Sequence, residues 1–158
     1  MLIEMSIQGL QVDPITNMPI VILKDKESER KLPIWVGLFE ANAIAMQIEN
    51  IATPRPMTHD LLKNVIRDLD GTVERVVVSD LKDNTFYAVI HLRVRGEPVA
   101  IDSRPSDAIA LALRTHAPIL VDESVIANAK PEADAEDATH LKKWLEELDP
   151  DDMGKYKM

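Results

Sequence analysis

The stretch Asp102-Ser103-Arg104-Pro105-Ser106-Asp107 holds the densest set of reactive side chains in the sequence. It runs from the end of an expected strand into an expected helix, where unpaired backbone N–H groups and the helix dipole favour an anion. The hydroxyls of Ser103 and Ser106 and the guanidinium of Arg104 are suited to grip a phosphate there. Asp102 and Asp107 flank the same turn. Together they could hold a divalent cation, which would polarise a phosphodiester and generate hydroxide. A plainer reading uses the same residues: the serines cap the helix, Asp107 answers the dipole and Arg104 pairs with Asp102.

Four histidines are available, His59, His91, His116 and His140, and no two stand at a metal-ligand spacing. His59 is the most suggestive, because it opens a helix and is followed by Asp60. Asp80, Asp83 and Asp122 lie close to strand ends. The turn Lys82-Asp83-Asn84-Thr85 needs Asp and Asn for backbone reasons alone, so Asp83 reads as structural. With five glycines and no glycine-rich phosphate loop, a nucleotide cradle is not expected. Two Phe, two Tyr and two Trp supply no base-stacking platform. The absence of cysteine excludes disulfides, thiolate metal sites and a cysteine nucleophile.

The elements that must position these groups follow from hydrophobic periodicity. Ile3, Met5 and Ile7 alternate with Glu4, Ser6 and Gln8, which predicts a half-buried strand over 2–12. Strands over 20–23 and 32–36 complete a β meander. Gly37 opens a helix expected to reach Ile51, so rich in Ala and Ile that more than one face must be covered. Thr53-Pro54-Arg55-Pro56 is a stiff connector, and Thr58 is placed to cap a helix over 59–69. A hairpin pairs 73–81 with 86–94, and a further strand over 98–102 leads into the Ser-Arg-Pro-Ser-Asp turn. The helix after that turn has no polar residue from Ala108 to Leu113, so it must be buried nearly all round. A short strand over 119–121 and a short helix over 123–129 follow.

These elements define an α+β class: one domain over 1–129, with helices packed on a mixed or antiparallel sheet. Lys130 to Asp137 reads as an acidic linker. In the tail over 138–158, Leu141, Trp144, Leu145 and Leu148 recur on one helical face. The chain of 158 residues carries 18 basic and 27 acidic residues, a formal charge of −9. Without a Lys/Arg-rich run it is not a passive nucleic-acid coat, although a local basic pocket is compatible with that charge. No apolar run approaches the ~18 residues of a membrane span, and the N-terminus does not have the pattern of a signal peptide. A cytoplasmic location is expected.

Four segments together resemble the bifunctional nuclease domain: LPIWVGLFEANAIAMQIENI (32–51), PRPMTHDLL (54–62), RVVVSDLKDNTFYAVIHL (75–92) and IDSRPSDAIALALRTHAPILV (101–121). The resemblance covers roughly residues 1–128 and leaves the acidic tail outside. It implies a compact α+β unit that self-associates and a nuclease acting on DNA and RNA. Its signature falls on Thr58, His59 and Asp60, on Asp80, Asp83 and Phe86, and on Asp102, Ser103, Arg104, Ser106 and Asp107. On this reading Asp102 and Asp107 hold Mg²⁺ or Mn²⁺ and Arg104 binds the scissile phosphate, while His59 assists proton transfer. Nucleic acid is then a substrate rather than a tight ligand. The alternative is a non-catalytic oligomeric module that binds a small anion or a protein partner. Geometry separates them: convergence of Asp102, Asp107 and His59 on an open pocket favours catalysis, and a buried Arg104–Asp102 pair favours the module.

Overall fold

Strand alternation is realised in a computed structural model that describes residues 1–129; the expected linker over 130–137 and helical tail over 138–158 lie outside the described residues. The meander forms as β1 (Leu2–Val12), β2 (Pro19–Asp25) and β3 (Lys31–Trp35). Two helices follow, α1 (Leu38–Ile48) and α2 (Thr58–Asp68). The hairpin is β4 (Gly71–Lys82) and β5 (Thr85–Val94), extended by β6 (Glu97–Ser103). Then come α3 (Pro105–Thr115), β7 (Ile119–Asp122) and the short α4 (Glu123–Asn128).

All seven strands join one sheet in the order β3-β2-β1-β7-β4-β5-β6. It is mixed: β7 runs parallel to β4, and every other pairing is antiparallel. The β4–β5 turn places Asp83 and Asn84 at φ 51° and 61°, the left-handed pair that a two-residue hairpin requires. Asp83 therefore serves the backbone.

Helix α3 is the centre of the core. Ala108, Ile109, Ala110, Leu111 and Ala112 are all buried, and α3 packs on α1, α2, β4 and β5. Its alanines meet Ala41, Ala43 and Ala45 of α1 within the same core, and small side chains let two helices approach closely. Helix α1 stops at Ile48 rather than Ile51. The reason is Asn50 at φ 54°: the Ile51 N–H reaches back to the Met46 carbonyl and the Asn50 N–H to Gln47, satisfying the last turn. Helix α2 begins one residue before the expected start, with Met57 rather than Thr58 as its cap residue. The Met57 N–H donates to Asp60 Oδ2 at 3.0 Å, so Asp60 supplies the bond that the hydroxyl does not. No helix among the described residues is long and apolar enough to cross a membrane.

The three helices are joined by one buried cation. Arg114, in the last turn of α3 and with a side chain only 4% exposed, donates to Asp60 Oδ1 of α2 at 2.7 Å. It also donates to the carbonyls of Ala110, on its own helix, and Ala43 of α1 at 2.9 and 3.0 Å. A guanidinium so deeply buried is tolerated because its charge is paired and its donors are used. Burial works to raise the Asp60 carboxyl, but the Met57 N–H and Arg114 outweigh it, with Lys63 adding to them, and hold it below its ordinary value.

Removing Arg114 as Arg114→Met strands the Asp60 carboxylate and leaves the Ala43 carbonyl without its guanidinium donor. It is expected to cost about 3 kcal/mol in urea unfolding, the scale for breaking such a pair. Because the folded Asp60 value is depressed, the pair's stabilisation is full above the ordinary carboxylate value of 3.8 and is lost as pH falls through the lower folded value. An Asp60→Asn variant is therefore less stable near neutrality and loses less further stability on acidification. Parallel curves for the variant and the parent between about pH 6 and pH 2 would contradict this.

Candidate functional site

The turn between β6 and α3 does not close on itself; it reaches across to α1 and α2. Pro105 occupies the first helical position and Arg104 is the cap residue, with extended backbone. From there Arg104 folds back along its own helix: its Nε donates to Asp107 Oδ2 at 2.9 Å, and its Nη2 lies 2.8 Å from the same oxygen. The same Nη2 donates to Glu40 Oε1 of α1 at 2.7 Å. The other oxygen of Asp107, Oδ1, lies 2.9 Å from His59 Nε2 in the first turn of α2. An ionised Asp107 only accepts, so Nε2 is the donor in this contact. One carboxylate thus links a histidine to an arginine, and the arginine links it to a second carboxylate.

These four residues line a cavity of about 310 Å³ whose apolar wall includes Ala43, Met46 and Met57. Phe39 stands at its edge, 83% exposed. His59 is buried, while the Arg104 side chain is 66% exposed. Asp107 and Glu40 both favour the charged form of Arg104 and hold its value above the ordinary one. Among the described residues Arg104 Nη1 has no hydrogen-bond partner, so two N–H groups of a fixed cation remain for a ligand. The Asn42 Oδ1 atom beside this cavity is buried and has no hydrogen-bond partner among the described residues.

Of the residues singled out in the sequence, the structure brings together His59, Arg104 and Asp107. Asp102 lies apart: it is exposed on the edge strand β6, does not line the cavity, and has no ion pair or side-chain hydrogen bond among the described residues. The expected Arg104–Asp102 pair is replaced by Arg104–Asp107 and Arg104–Glu40. The Ser103 hydroxyl donates to the Arg104 carbonyl at 2.8 Å, and neither Ser103 nor Ser106 caps α3 through its side chain. The cation expected between Asp102 and Asp107 fits these donors poorly. Both oxygens of Asp107 are engaged, and no cluster of three or more His, Asp or Glu among the described residues is arranged to hold a metal.

Asp80 and Phe86 lie on the β4–β5 hairpin, outside this cavity. His91 lies in β5, where burial first and then Arg75 lower its value. His116 ends α3 at φ 59° as a backbone device. Glu40 is the partner that local reading misses, and one signal does point to it. A Cβ at Gly37 would run into the Glu40 carboxylate, so glycine three residues before Glu40 leaves the space that its side chain occupies.

Residues 21–134 match the model of the bifunctional nuclease domain. An uncharacterized protein of Mycobacterium tuberculosis (strain H37Rv) is 35% identical over 161 residues, covering 94% of this chain and 96% of its own length. Bifunctional nuclease 1 of Oryza sativa subsp. indica is 27% identical over 119 residues, 73% of this chain and 36% of the rice protein. Bifunctional nuclease 2 of Oryza sativa subsp. japonica is 29% identical over 122 residues, 75% and 38% respectively. The chain therefore spans little more than a third of the length of these plant relatives. The family match takes in α1, α2 and α3 and with them every residue of the His59–Asp107–Arg104–Glu40 cluster: this chain belongs to the bifunctional nuclease domain family.

Proposed function

We propose that the protein is a cytoplasmic nuclease that hydrolyses phosphodiester bonds of DNA and RNA at the cavity between α1, α2 and the start of α3. The observation that carries this reading is the His59–Asp107–Arg104 constellation opening on that cavity. Arg104 offers its free Nη1 to a non-bridging phosphate oxygen and stabilises the charge that develops there. His59, its Nε2 held by Asp107, accepts a proton from the attacking water at Nδ1. The new P–O bond forms as the leaving oxygen departs; that oxygen takes a proton from solvent water, and His59 returns to solvent the proton it accepted. These roles engage the phosphate and the attacking water and make no use of the sugar, which suits a cleavage indifferent to the 2′-hydroxyl. No step here passes through a metal, and dependence on Mg²⁺ or Mn²⁺ is left to the assay.

A second reading has its own support. Asp107 is saturated by protein partners, as in a purely structural clamp, and Leu61 and Val65 of α2 and Leu69 just after it are exposed. This favours a non-catalytic module that assembles with itself or with a protein partner. The exposed row also suits a nuclease that works as a homo-oligomer.

The decisive assay offers labelled single-stranded DNA, double-stranded DNA and RNA to purified protein with Mg²⁺, Mn²⁺ or EDTA. His59→Gln is expected to lower kcat by at least about 100-fold, the usual worth of a positioned general base, with folding checked by circular dichroism. Arg104→Ala is expected to lose a comparable factor. Asp102→Asn retains activity if the cavity alone is the site, and loses it if Asp102 holds a cation. Cleavage unaffected by the His59 and Arg104 variants places the activity elsewhere; no cleavage of any polymer favours the module. A Gly37→Ala variant tests the support of the site without touching it. The added methyl displaces Glu40, frees Arg104 and lowers kcat several-fold, with α3 and the thermal midpoint little changed.

A further inference from the structure

The cluster at the cavity is poorly suited, alone, to attract a polyanion. Glu40 and Asp107 bring two negative charges against one positive charge on Arg104, in a chain of formal charge −9. If a nucleic acid is processed there, positive charge must be supplied nearby, and the structure supplies it in the adjoining cavity. That second cavity, of about 490 Å³, is formed by the end of α1, the proline-rich connector and α2, with Arg114 of α3 in its lining. Met46 lines both cavities, so they are neighbours.

The chemistry of the second cavity differs from the first. Arg55, on the connector, and Lys63, on α2, both line it, and among the described residues neither takes part in an ion pair. The amides of Asn50 and Asn64 stand beside them. The acidic group present, Asp60, is bound to Arg114, and Lys63 acts on it only through space, without an ion-pair contact. Two prolines flank Arg55 and stiffen its backbone, and Thr53 Oγ1 donates to the Arg55 carbonyl at 2.7 Å, so the cation is carried on an ordered loop.

The geometry points to this cavity as a second phosphate subsite, which holds the backbone phosphate next to the scissile one in a single strand of DNA or RNA. The inference rests on the nuclease reading of the neighbouring cavity and adds to it a direction for the strand. The substrate runs along the groove between α1 and α2, from Arg104 past Met46 to Arg55 and Lys63. Unpaired cations lining a polar cavity are the usual means of following a backbone without reading its sequence. The preferred substrate is then single-stranded and longer than a dinucleotide.

The test compares the full-length protein with an Arg55→Gln, Lys63→Gln double variant. A Lys26→Gln, Arg95→Gln double variant has the same net charge and serves as control. Binding of a labelled single-stranded oligonucleotide is followed by fluorescence anisotropy against salt, on a His59→Gln background so that the strand stays intact. The cavity variant is expected to bind roughly tenfold more weakly, and its plot of log Kd against log salt to be shallower by about 1.4, two contacts at about 0.7 each. The control keeps the parental slope. In cleavage with His59 restored, the cavity variant raises KM for a tetranucleotide but leaves a dinucleotide, whose sole phosphate is the scissile one, unaffected. Equal slopes in parent and cavity variant overturn the subsite and leave the nuclease reading standing. Loss of dinucleotide cleavage in the variant also overturns it. An oligonucleotide that fails to bind, while inorganic phosphate or a mononucleotide binds through Arg55 and Lys63, overturns it in favour of a small free anion. Absence of cleavage in the parent, by contrast, is the failure of the nuclease reading.

Discussion

The placement of Arg114 is the constraint on which the rest of the molecule depends. A guanidinium leaves water only where its charge is paired and its N–H groups are used. Arg114 meets both conditions with an aspartate on α2, a carbonyl on α1 and a carbonyl on its own helix. Its planar, forked donors serve three directions at once, which an ammonium on a flexible stem does less well. The distances between the three helices are thereby set by hydrogen bonds as well as by alanine packing. Both cavities have walls on α1 and α2, so their shapes follow from the same junction.

Much of the architecture was legible from periodicity and punctuation. The strands of the meander and hairpin, the entry to α3 at Pro105 and the buried Ala108–Ala112 stretch all obey local rules. The paired left-handed residues Asp83 and Asn84 are another local signal that the fold honours. The site was legible only in part. His59, Arg104 and Asp107 announce themselves by type and by their positions at helix starts. Their partners do not, because Glu40 and Arg104 are 64 positions apart, His59 and Asp107 48, and Asp60 and Arg114 54. Such pairings are made by packing, and spacing along the chain carries no trace of them.

The same point explains why Asp102 is less well placed than it looks. Read as a peptide, Asp102 and Arg104 are near neighbours and Asp102 and Asp107 bracket one turn. Yet Asp102 belongs to β6, where hydrogen bonds to β5 fix its direction, whereas Arg104 and Asp107 belong to the first turn of α3. The change from strand to helix geometry at Pro105 separates groups that adjacency suggests are together. It also turns Arg104 onto the residue three positions ahead, the natural neighbour on a helix surface.

Two arginines at opposite ends of α3 show what separates scaffolding from a working group in this fold. Arg114 has a side chain 4% exposed and all three of its nitrogens bonded within the protein. Arg104 is also held by two carboxylates, but its side chain is 66% exposed and, among the described residues, one of its nitrogens has no partner. If Arg104 were only a clamp, burying it would strengthen its ion pairs, since exposed pairs contribute little in water. The fold instead spends a buried histidine and two carboxylates on orienting a cation toward solvent. That arrangement makes physical sense where the cation's partner arrives from outside, as a phosphate would.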